Sequence, residues 1–424
     1  MKSICVIGLG YIGLPTSVMF AKHGFNVHGV DVNEKVVDSL LNKQLHIQEP
    51  GLQEALEKVI DNGNLTVSTK PINTDVYIIA VPSPITEEKI ANLEYVRAAT
   101  ESIVPYIQKG SLIVLESTVP PRTVEDVMLP ILEKSDLNVK KDIYISHSPE
   151  RVIPGKIFDE LENNDRIVGG YTEKASELTK ELYKSFVNGE VHLTDATTAE
   201  MVKVMENTYR DINIAFANEL ARISDNIGVN VWEAIKLANF HPRVNIHQPG
   251  PGVGGHCIAV DPWFLAELQP NQAKMISLAR ESNDNMPSYV VDKVRDITAK
   301  NNVNSPKVAI LGLSYKGNVD DMRESPSLKV IDRLKELGMY YTVYDPYIED
   351  VRLGNQSLTV DETIRNSDII ILLTDHYQFK EYNPNEIGKA MNSKLILDTK
   401  NCLDENKWRE AGFMFYRLGD AKNR

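Results

Sequence analysis

The sequence predicts an α/β protein in which two doubly wound domains are joined by a helical central domain with one long helix. Near both ends of the 424-residue chain, short apolar segments alternate with helical ones, a pattern typical of parallel sheets covered on both faces. Residues 198–227 contain neither glycine nor proline and show helical spacing. We therefore place the domains at residues 1–195, 196–300 and 301–424.

The individual elements follow from this alternation. In the first domain the predicted strands are Ser3–Ile7, Asn26–Val30, Val76–Val81, Leu112–Glu116 and Ile143–Ser146, with helices that include Glu34–Leu41 and Leu52–Asn62. The central domain adds helices at Val231–Asn239 and Gln272–Asn285. In the last domain the predicted strands are Val308–Leu311, Tyr341–Tyr344, Ile369–Leu373 and Leu395–Asp398, and Arg323–Leu337 is a predicted helix.

Composition excludes several classes of protein. The formal charge of −13 argues against a nucleic-acid partner, because such proteins are usually basic. No apolar segment approaches the roughly 20 residues that span a bilayer, so we expect no membrane partner. The three cysteines, Cys5, Cys257 and Cys402, provide no disulfide framework. A reducing, cytoplasmic location is therefore expected.

A dinucleotide-binding motif follows the first predicted strand. Gly8, Gly10 and Gly13 form G-x-G-x-x-G between a strand and a helix, where they permit a tight turn, close approach of a pyrophosphate and close helix packing. Asp31 ends the second strand, where a carboxylate binds ribose hydroxyls and favours NAD over NADP. The first domain is thus expected to be Rossmann-like and to bind NAD; the alternative is a glycine-rich turn without a ligand.

The glycine-rich loop that ends at Cys257 predicts a reactive thiol. Gly254 and Gly255 give the backbone freedom to bring the thiol close to a ligand, and a thiolate can attack an aldehyde. By itself this cysteine is equally consistent with an idle thiol, our interpretation of Cys5 and Cys402. A zinc site is another alternative, although the spacing of its possible ligands fits no compact zinc motif; these are His241, His247, His256 and Cys257.

Other polar residues fall where a site is expected. Lys203 and Asn207 share one face of the long helix, where they could stabilise an oxyanion; a solvated helix face is the alternative. Glu116-Ser-Thr118 and Glu150 end strands of the first domain, where carboxylates position water or merely cap helices.

The last domain carries a partial version of the glycine motif. Gly312-Leu-Ser-Tyr315-Lys316-Gly317 follows its first strand, and Arg323 lies shortly after it. Lys316 and Arg323 could clamp a phosphate. A turn with a surface charge cluster is equally consistent with these residues. The layout predicts a second Rossmann-like domain, although no close sequence repeat is evident.

Together these motifs resemble the UDP-glucose/GDP-mannose dehydrogenase family from Val6 to about Asn401. The order of motifs carries the resemblance: GLGYIG, Val81-Pro-Ser-Pro84, Glu-Ser-Thr, the Lys203/Asn207 helix, GGHC and YKG followed by DDMRESP. It implies an NAD-dependent enzyme that oxidises a sugar nucleotide twice, through a thioester on Cys257. It also implies a homodimer built through the central helices, in which Arg243 reaches the partner's site.

The resemblance further implies a role for each matching position. The implied catalytic residues are Cys257, Lys203, Asn207, Asp261, Glu150 and Thr118. The implied NAD contacts are Gly8, Gly10, Tyr11, Ile12, Gly13, Asp31, Ser83, Thr118 and Arg323. The implied sugar-nucleotide contacts are Arg151, Val152, Lys203, Asn207, Arg210, His241, Arg243, Gly254, Tyr315, Lys316 and Lys400. No metal is expected.

Three segments narrow the expected substrate. HSPERVIPG, ENTYRDINIAFANEL and HPRVNIHQPGPGVGGHCIAVDPWF resemble the branch of the family that oxidises UDP-N-acetyl-D-mannosamine at C6, which supplies surface polysaccharide synthesis. UDP-glucose enzymes of the family carry a second glutamate where this sequence has Pro154. UDP-N-acetylglucosamine and UDP-glucose remain alternative substrates. Two rival functions are a one-step hydroxy-acid dehydrogenase and a non-catalytic NAD-sensing protein.

Overall fold

The computed structural model describes residues 2–153, 155–348, 350–351 and 353–421. Pro154, which bears on the expected substrate, lies outside them. The chain forms two compact units, Met1–Glu206 with Trp263–Pro270, and Asn207–Pro262 with Asn271–Arg424.

The first unit is built on an eight-stranded sheet. Its strands are β1 (Ser3–Ile7), β2 (Asn26–Val30), β3 (Leu65–Ser68), β4 (Val76–Ile79), β5 (Leu112–Leu115), β6 (Tyr144–His147), β7 (Arg166–Gly170) and β8 (Val191–Asp195). They lie in the order β3-β2-β1-β4-β5-β6-β7-β8. Neighbours are parallel except β6 and β7, which are antiparallel. The five strands predicted from the sequence pair in parallel, as expected. The one antiparallel pair involves β7, a strand that the sequence analysis did not predict.

Helices cover both faces of this sheet. They are α1 (Gly13–Lys22), α2 (Glu34–Leu41), α3 (Leu52–Asp61), α4 (Glu94–Ile103), one π-helical turn (Val124–Met128) that continues into α5 (Leu129–Leu132), α6 (Ile157–Asn163) and α7 (Glu173–Tyr183). Alternate residues of β1 supply two cores: Ile4 and Val6 join one apolar cluster, whereas Cys5 and Ile7 join the other. Because the side chains of a strand point alternately to its two faces, β1 lies between the two clusters, and the glycine loop that follows it starts from the same position.

The long helix predicted from the sequence is α8 (Ala196–Ile227), which contributes its start to the first unit and the rest to the second. The remaining helices of the central region are α9 (Val231–Ala238), α10 (Asp261–Leu268), α11 (Lys274–Asp284) and α12 (Met286–Lys300). A loop of more than 20 residues joins α9 to α10, and Cys257 lies near its end.

The second unit contains a five-stranded parallel sheet in the order β10-β9-β11-β12-β13. Its elements are β9 (Lys307–Leu311), α13 (Pro326–Glu336), β10 (Tyr340–Tyr344), α14 (Val360–Ile364), β11 (Ile369–Leu372), α15 (Tyr377–Glu381), α16 (Pro384–Lys389), β12 (Leu395–Asp398), α17 (Glu405–Glu410) and β13 (Met414–Arg417). The expected fold, two α/β sheets with a helical region containing one long helix, is confirmed.

The glycine loops that follow β1 and β9 have the same construction. Gly8 and Gly312 adopt φ of +94° and +102°, and each donates its N–H to the last residue of the neighbouring strand at 2.8 Å. Asp31 and Asp345, the residues after β2 and β10, each accept a hydrogen bond from the amide that follows that glycine, at 3.0 and 2.7 Å. The two loops thus share a positive-φ glycine and an aspartate that accepts from the next amide, a correspondence that is not evident from their sequences.

Among the residues with a described structure, every helix is either too short or too polar to span a bilayer.

Candidate active site

The glycine loop of the first unit fits a dinucleotide. A methyl group built on Gly8 would lie 2.5 Å from the carbonyl oxygen of Ala80, and one on Gly13 would lie 1.8 Å from that of Gly8. A methyl group on Gly10 would meet no atom within 4 Å. Two glycines are therefore required by packing, whereas the third leaves its backbone open to the approach of a pyrophosphate.

The other predicted cofactor residues of the first unit lie beside this loop or at strand ends. The Asp31 carboxylate accepts hydrogen bonds from the amides of Leu9 and Asn33, at 3.0 and 2.9 Å. Tyr11 and Ile12 lie within the loop itself. The hydroxyl of Ser83 donates to the carbonyl oxygen of Thr118. This hydrogen bond joins the segment that follows β4 to the segment that follows β5.

A buried arginine connects the two carboxylates at the strand ends. Arg166, the first residue of β7, donates to Glu116 at 2.8 Å and to Glu150 at 2.9 Å. Tyr183 also donates to Glu116, at 2.5 Å. Burial raises the pKa of Glu116 to about 7, although Arg166 opposes the shift. Sequence reasoning missed Arg166 because β7 was not predicted; the only available signal was that two buried carboxylates require a cation.

Glu150 is therefore held on both of its oxygens. One oxygen accepts from Arg166, and the other accepts from the Arg151 amide at 2.6 Å. The Arg151 guanidinium forms an ion pair with Glu206 at 2.7 Å, and Val152 is partly buried against the sheet core. The predicted water-activating carboxylate thus has a structural role in the segment that carries two predicted substrate contacts.

Glu200 joins the start of α8 to the segment that follows Thr118. Its buried carboxylate accepts hydrogen bonds from the amides of Arg122 and Val124, at 2.5 and 2.8 Å. Burial raises the pKa of Glu200 from 4.5 to about 8. Lys203 lies one turn further along the same helix, so Glu200 anchors the helix turn that presents this lysine.

Cys257 is exposed and belongs to the second unit. Asp261, the first residue of α10, donates its backbone amide to the Cys257 carbonyl oxygen at 2.9 Å. Its carboxylate accepts from the Asn207 side chain at 2.6 Å. Asn207 and Asp261 are only 5% and 3% exposed. Three predicted catalytic residues are thus brought together: a thiol, and a buried carboxylate–amide pair one turn after it.

The cysteine loop packs on the second glycine loop. A methyl group on Gly254 would lie 2.7 Å from the carbonyl oxygen of Glu324 and 2.8 Å from Cβ of Tyr315, and one on Gly255 would lie 2.9 Å from the Tyr315 ring. The Gly255 amide donates to the Arg323 carbonyl oxygen at 3.1 Å. Only glycines allow this approach, which places Tyr315 beside the loop that carries the thiol.

Of the remaining predicted residues, Lys400 lies close to the cysteine loop. The ammonium of Lys400 is 3.8 Å from a methyl group built on Gly250. The Arg323 guanidinium pairs with Asp321 at 2.7 Å. The predicted substrate residues with exposed side chains are Arg210, His241, Arg243 and Lys316. The guanidinium of Arg243 lies 3.4 Å from Nε2 of His241.

No set of three or more His, Cys, Asp or Glu side chains in the described part of the chain is arranged to hold a metal ion. The zinc alternative therefore has no support from the geometry of the cysteine loop.

A dinucleotide loop in one unit, and an exposed thiol over a second nucleotide-type loop in the other, define a nucleotide-dependent oxidoreductase. Three domain models of one family match the chain: its NAD binding domain at residues 2–187, its central domain at 197–285 and its UDP binding domain at 309–405. The chain belongs to the UDP-glucose/GDP-mannose dehydrogenase family and is an NAD-dependent UDP-sugar dehydrogenase.

Similar proteins extend over the whole chain. A UDP-N-acetyl-D-mannosamine dehydrogenase of Methanococcus vannielii is 52% identical, over 99% of this chain and 98% of the relative. An NDP-N-acetyl-D-galactosaminuronic acid dehydrogenase of Ralstonia solanacearum is 43% identical, over 94% and 96%. The solved structure of a UDP-D-ManNAc dehydrogenase from Pyrococcus horikoshii matches with a TM-score of 0.93 and 40% identity, covering 99% of this chain and 100% of that one.

Substitution of Glu200 by glutamine is expected to flatten the dependence of stability on pH. The pKa of Glu200 is about 8 in the folded protein and 4.5 ordinarily, so the folded state holds a proton that the unfolded chain releases. Its stabilising contribution is complete below the lower value and is lost as pH rises through the upper one. Between about pH 5 and pH 8, the free energy of unfolding of the wild type, measured with urea, should therefore fall by up to about 1.4 kcal/mol more per pH unit than that of Glu200→Gln.

The exposed glutamate Glu177 provides the matched control. Glu177→Gln should leave the pH slope of the wild type unchanged. A Glu200→Gln slope equal to that of the wild type would show that Glu200 does not titrate in this range.

Proposed function

We propose that this enzyme oxidises UDP-N-acetyl-D-mannosamine at C6 to UDP-N-acetyl-D-mannosaminuronate, in two oxidations that use Cys257 as a covalent nucleophile. The observation that carries the proposal is the exposed Cys257 on a glycine loop packed against Tyr315, with the Asn207–Asp261 pair one turn away. A thiol in this setting can receive an aldehyde that is held by the second glycine loop.

The choice of sugar is supported by the relatives and by three sequence segments. Full-length similarity to proteins named UDP-N-acetyl-D-mannosamine dehydrogenases agrees with the HSPERVIPG, ENTYRDINIAFANEL and HPRVNIHQPG segments. UDP-N-acetylglucosamine and UDP-glucose are the alternative substrates. The product of the proposed reaction is a sugar acid nucleotide, which would supply surface polysaccharide synthesis.

The first oxidation converts the C6 alcohol to an aldehyde. The C6 hydroxyl loses its proton through a water molecule held by Asp261, whose carboxylate is kept in place by Asn207. NAD, when bound at the first glycine loop, accepts the hydride released in each of the two oxidations. Asp261 is proposed for this role because its buried carboxylate lies one turn after Cys257 and is held by Asn207.

The second oxidation takes place on the cysteine. The Cys257 thiolate adds to the aldehyde carbon and forms a thiohemiacetal, which loses hydride to become a thioester. Lys203 and the Asn207 amide stabilise the oxyanions that form at C6. Water then attacks the thioester carbonyl, so that the C–S bond breaks, the thiol is restored and the carboxylate leaves. Asp261, or alternatively Glu150, removes the proton from this water.

The other positions complete the proposal. Thr118, Ser83, Asp31 and the first glycine loop are assigned to NAD, together with Arg323. The sugar nucleotide is assigned to the predicted contacts of the second glycine loop and the cysteine loop, with Lys400 beside Gly250.

We retain residues 1–195, 196–300 and 301–424 as the proposed cofactor, central and UDP-sugar domains. An exposed reactive thiol also suits a reducing compartment, which supports a cytoplasmic location.

A homodimer through α8 is part of the proposal. Large apolar residues stand on one side of this helix at Tyr209, Phe216, Ile223 and Ile227, with intervals of seven, seven and four residues. They are between 46% and 67% exposed. A continuous exposed apolar stripe of this kind is typical of a protein–protein interface. A second copy of the same helix would cover it, and Arg243 would then reach the site of the partner.

A panel of UDP-N-acetylmannosamine, UDP-N-acetylglucosamine and UDP-glucose with NAD tests the function directly. The first sugar should give the highest kcat/KM and two NADH per molecule consumed, measured by absorbance. One NADH would favour a one-step hydroxy-acid type of dehydrogenase, and NAD binding without turnover would favour an NAD sensor. A higher kcat/KM with either of the other sugars would overturn the proposed substrate.

Cys257→Ser should stop the reaction before the acid forms. A serine hydroxyl is a much weaker nucleophile than a thiolate, so the aldehyde would not be captured and acid production should fall by at least about a thousandfold. Cys402→Ser provides the control, because burial raises the pKa of that thiol to about 12 and it should be inert. Acid formation at the wild-type rate by Cys257→Ser would rule out the covalent route.

Phe216→Asp should convert the proposed dimer to a monomer. A carboxylate at the centre of the α8 stripe would be buried without a partner in the interface. Sedimentation velocity should report half the wild-type mass. Leu358→Asp, at an apolar residue outside α8 that is 60% exposed compared with 50% for Phe216, should leave the mass unchanged. Wild-type protein that sediments as a monomer would contradict the proposal.

A further inference from the structure

A chain of buried polar side chains runs through the second unit to the cysteine loop. Arg280 donates to the Asp211 carboxylate at 2.5 Å. The Asn283 side chain donates to the same carboxylate oxygen at 2.8 Å. Its side-chain oxygen accepts from the side-chain NH2 group of Asn218 at 2.9 Å. The side-chain oxygen of Asn218 then accepts from the backbone amide of Gly250 at 2.8 Å. We call Asp211, Asn283 and Asn218 the amide relay.

The acid at its start determines the orientation of every amide in the relay. A carboxylate only accepts hydrogen bonds, so the NH2 group of Asn283 must face Asp211. The oxygen of Asn283 therefore faces Asn218, which must present its NH2 group to it. The oxygen of Asn218 is thereby turned toward Gly250, where the loop offers a donor.

The relay is deeply buried and its charge is balanced. Asp211, Asn218, Asn283 and Arg280 are each 0–1% exposed. Burial raises the pKa of Asp211, and the adjacent Arg280 guanidinium opposes this shift and favours the carboxylate form. Loss of a partner by the Asn283 or Asn218 side chain would be strongly unfavourable in such surroundings, so their hydrogen bonds hold one arrangement of the loop.

Gly250 is the point where the loop enters its final turn toward the thiol. A methyl group on Gly252 would lie 3.3 Å from the carbonyl oxygen of Asn283, so the loop also lies against the backbone of a relay residue. Five residues after Gly252 comes Cys257. Upstream, Asn213 of α8 accepts from the His247 amide at 3.0 Å, but this hydrogen bond is only partly buried. The relay therefore holds the loop by a buried side-chain hydrogen bond just before the glycine turn.

We propose that Asn218 and Asn283 are positioning residues, which hold the cysteine loop at Gly250 so that the Cys257 thiol meets the aldehyde. They act through the loop backbone and touch neither substrate nor cofactor. The catalytic consequence rests on the proposed function, because only the second of its two oxidations requires the thiol. Loosening the relay should therefore impair the second oxidation more than the first.

Asn218→Asp provides the sharpest test. A deprotonated aspartate keeps an acceptor for Gly250 but has no donor for the Asn283 oxygen, whereas a protonated aspartate supplies both, as asparagine does. The full-length enzyme is assayed with UDP-N-acetylmannosamine and NAD, with hydroxylamine present to capture released aldehyde. At high pH the variant should yield fewer than two NADH per sugar, accumulate the trapped aldehyde and form acid at least about tenfold more slowly. Lowering the pH should bring its rate and stoichiometry back toward those of the wild type.

Asn230→Ala provides the matched control. This asparagine caps α9 and donates to Asp420 at 2.7 Å, so its loss should lower the melting temperature and leave the stoichiometry at two NADH. A merely structural role for Asn218 would give the same result in Asn218→Asp: fewer folded molecules, two NADH per sugar, and no recovery at low pH. That outcome would overturn the proposal.

Hydrogen exchange separates failure of the relay from failure of the proposed function. The amides of residues 250–257 should exchange at least about tenfold faster in Asn218→Ala than in the wild type, whatever reaction the protein catalyses. Unchanged exchange in this segment would overturn the relay by itself. Wild-type enzyme that yields no second NADH, with faster exchange in Asn218→Ala, would overturn the proposed reaction and retain the relay as an anchor of the loop.

Discussion

The ion pairs of Arg166 are the constraint on which the first unit depends. Its buried guanidinium binds Glu116, at the end of β5, and Glu150, shortly after β6. Removal of the arginine would leave two carboxylates buried without a cation, a change that typically costs several kcal/mol. Because Arg166 begins β7, the same interaction also holds the strand that pairs antiparallel with β6. The loop that carries Arg151 and Val152 is thus tied to the sheet.

In the second unit, neutral side-chain amides hold the cysteine loop. Its cysteine loop has little regular structure, so its backbone amides need partners from elsewhere. Side-chain amides on α8 provide them: Asn213 accepts from His247, and Asn218 accepts from Gly250. On the opposite side, Gly254 and Gly255 let the loop pack closely on Tyr315. Rigid helices and a tyrosine ring thereby give an irregular segment a defined path, which a nucleophile requires.

Much of the fold could be predicted from local pattern. The strands β1 and β2, the long helix α8 and the glycine loops carry strong signals, since each depends on periodicity or on glycine at set positions. The strands β3, β7, β8 and β13 were missed. In β3 (LTVS) and β8 (VHLTD) polar residues interrupt the apolar ones, so neither shows a continuous apolar segment. The correspondence of Asp31 and Asp345 was hidden, because these residues lie at different distances from their glycines along the chain.

The sequence by itself determined the class of protein, the cofactor and the position of the thiol, because these are written in short motifs whose residues are close together along the chain. Only the tertiary structure decided which distant groups meet. Arg166 and Glu150 are separated by 16 residues, and Asn207 and Asp261 by 54. The partners of a buried charge or a loop amide are chosen by packing in three dimensions, where burial makes an unpaired polar group costly. No local pattern records that choice.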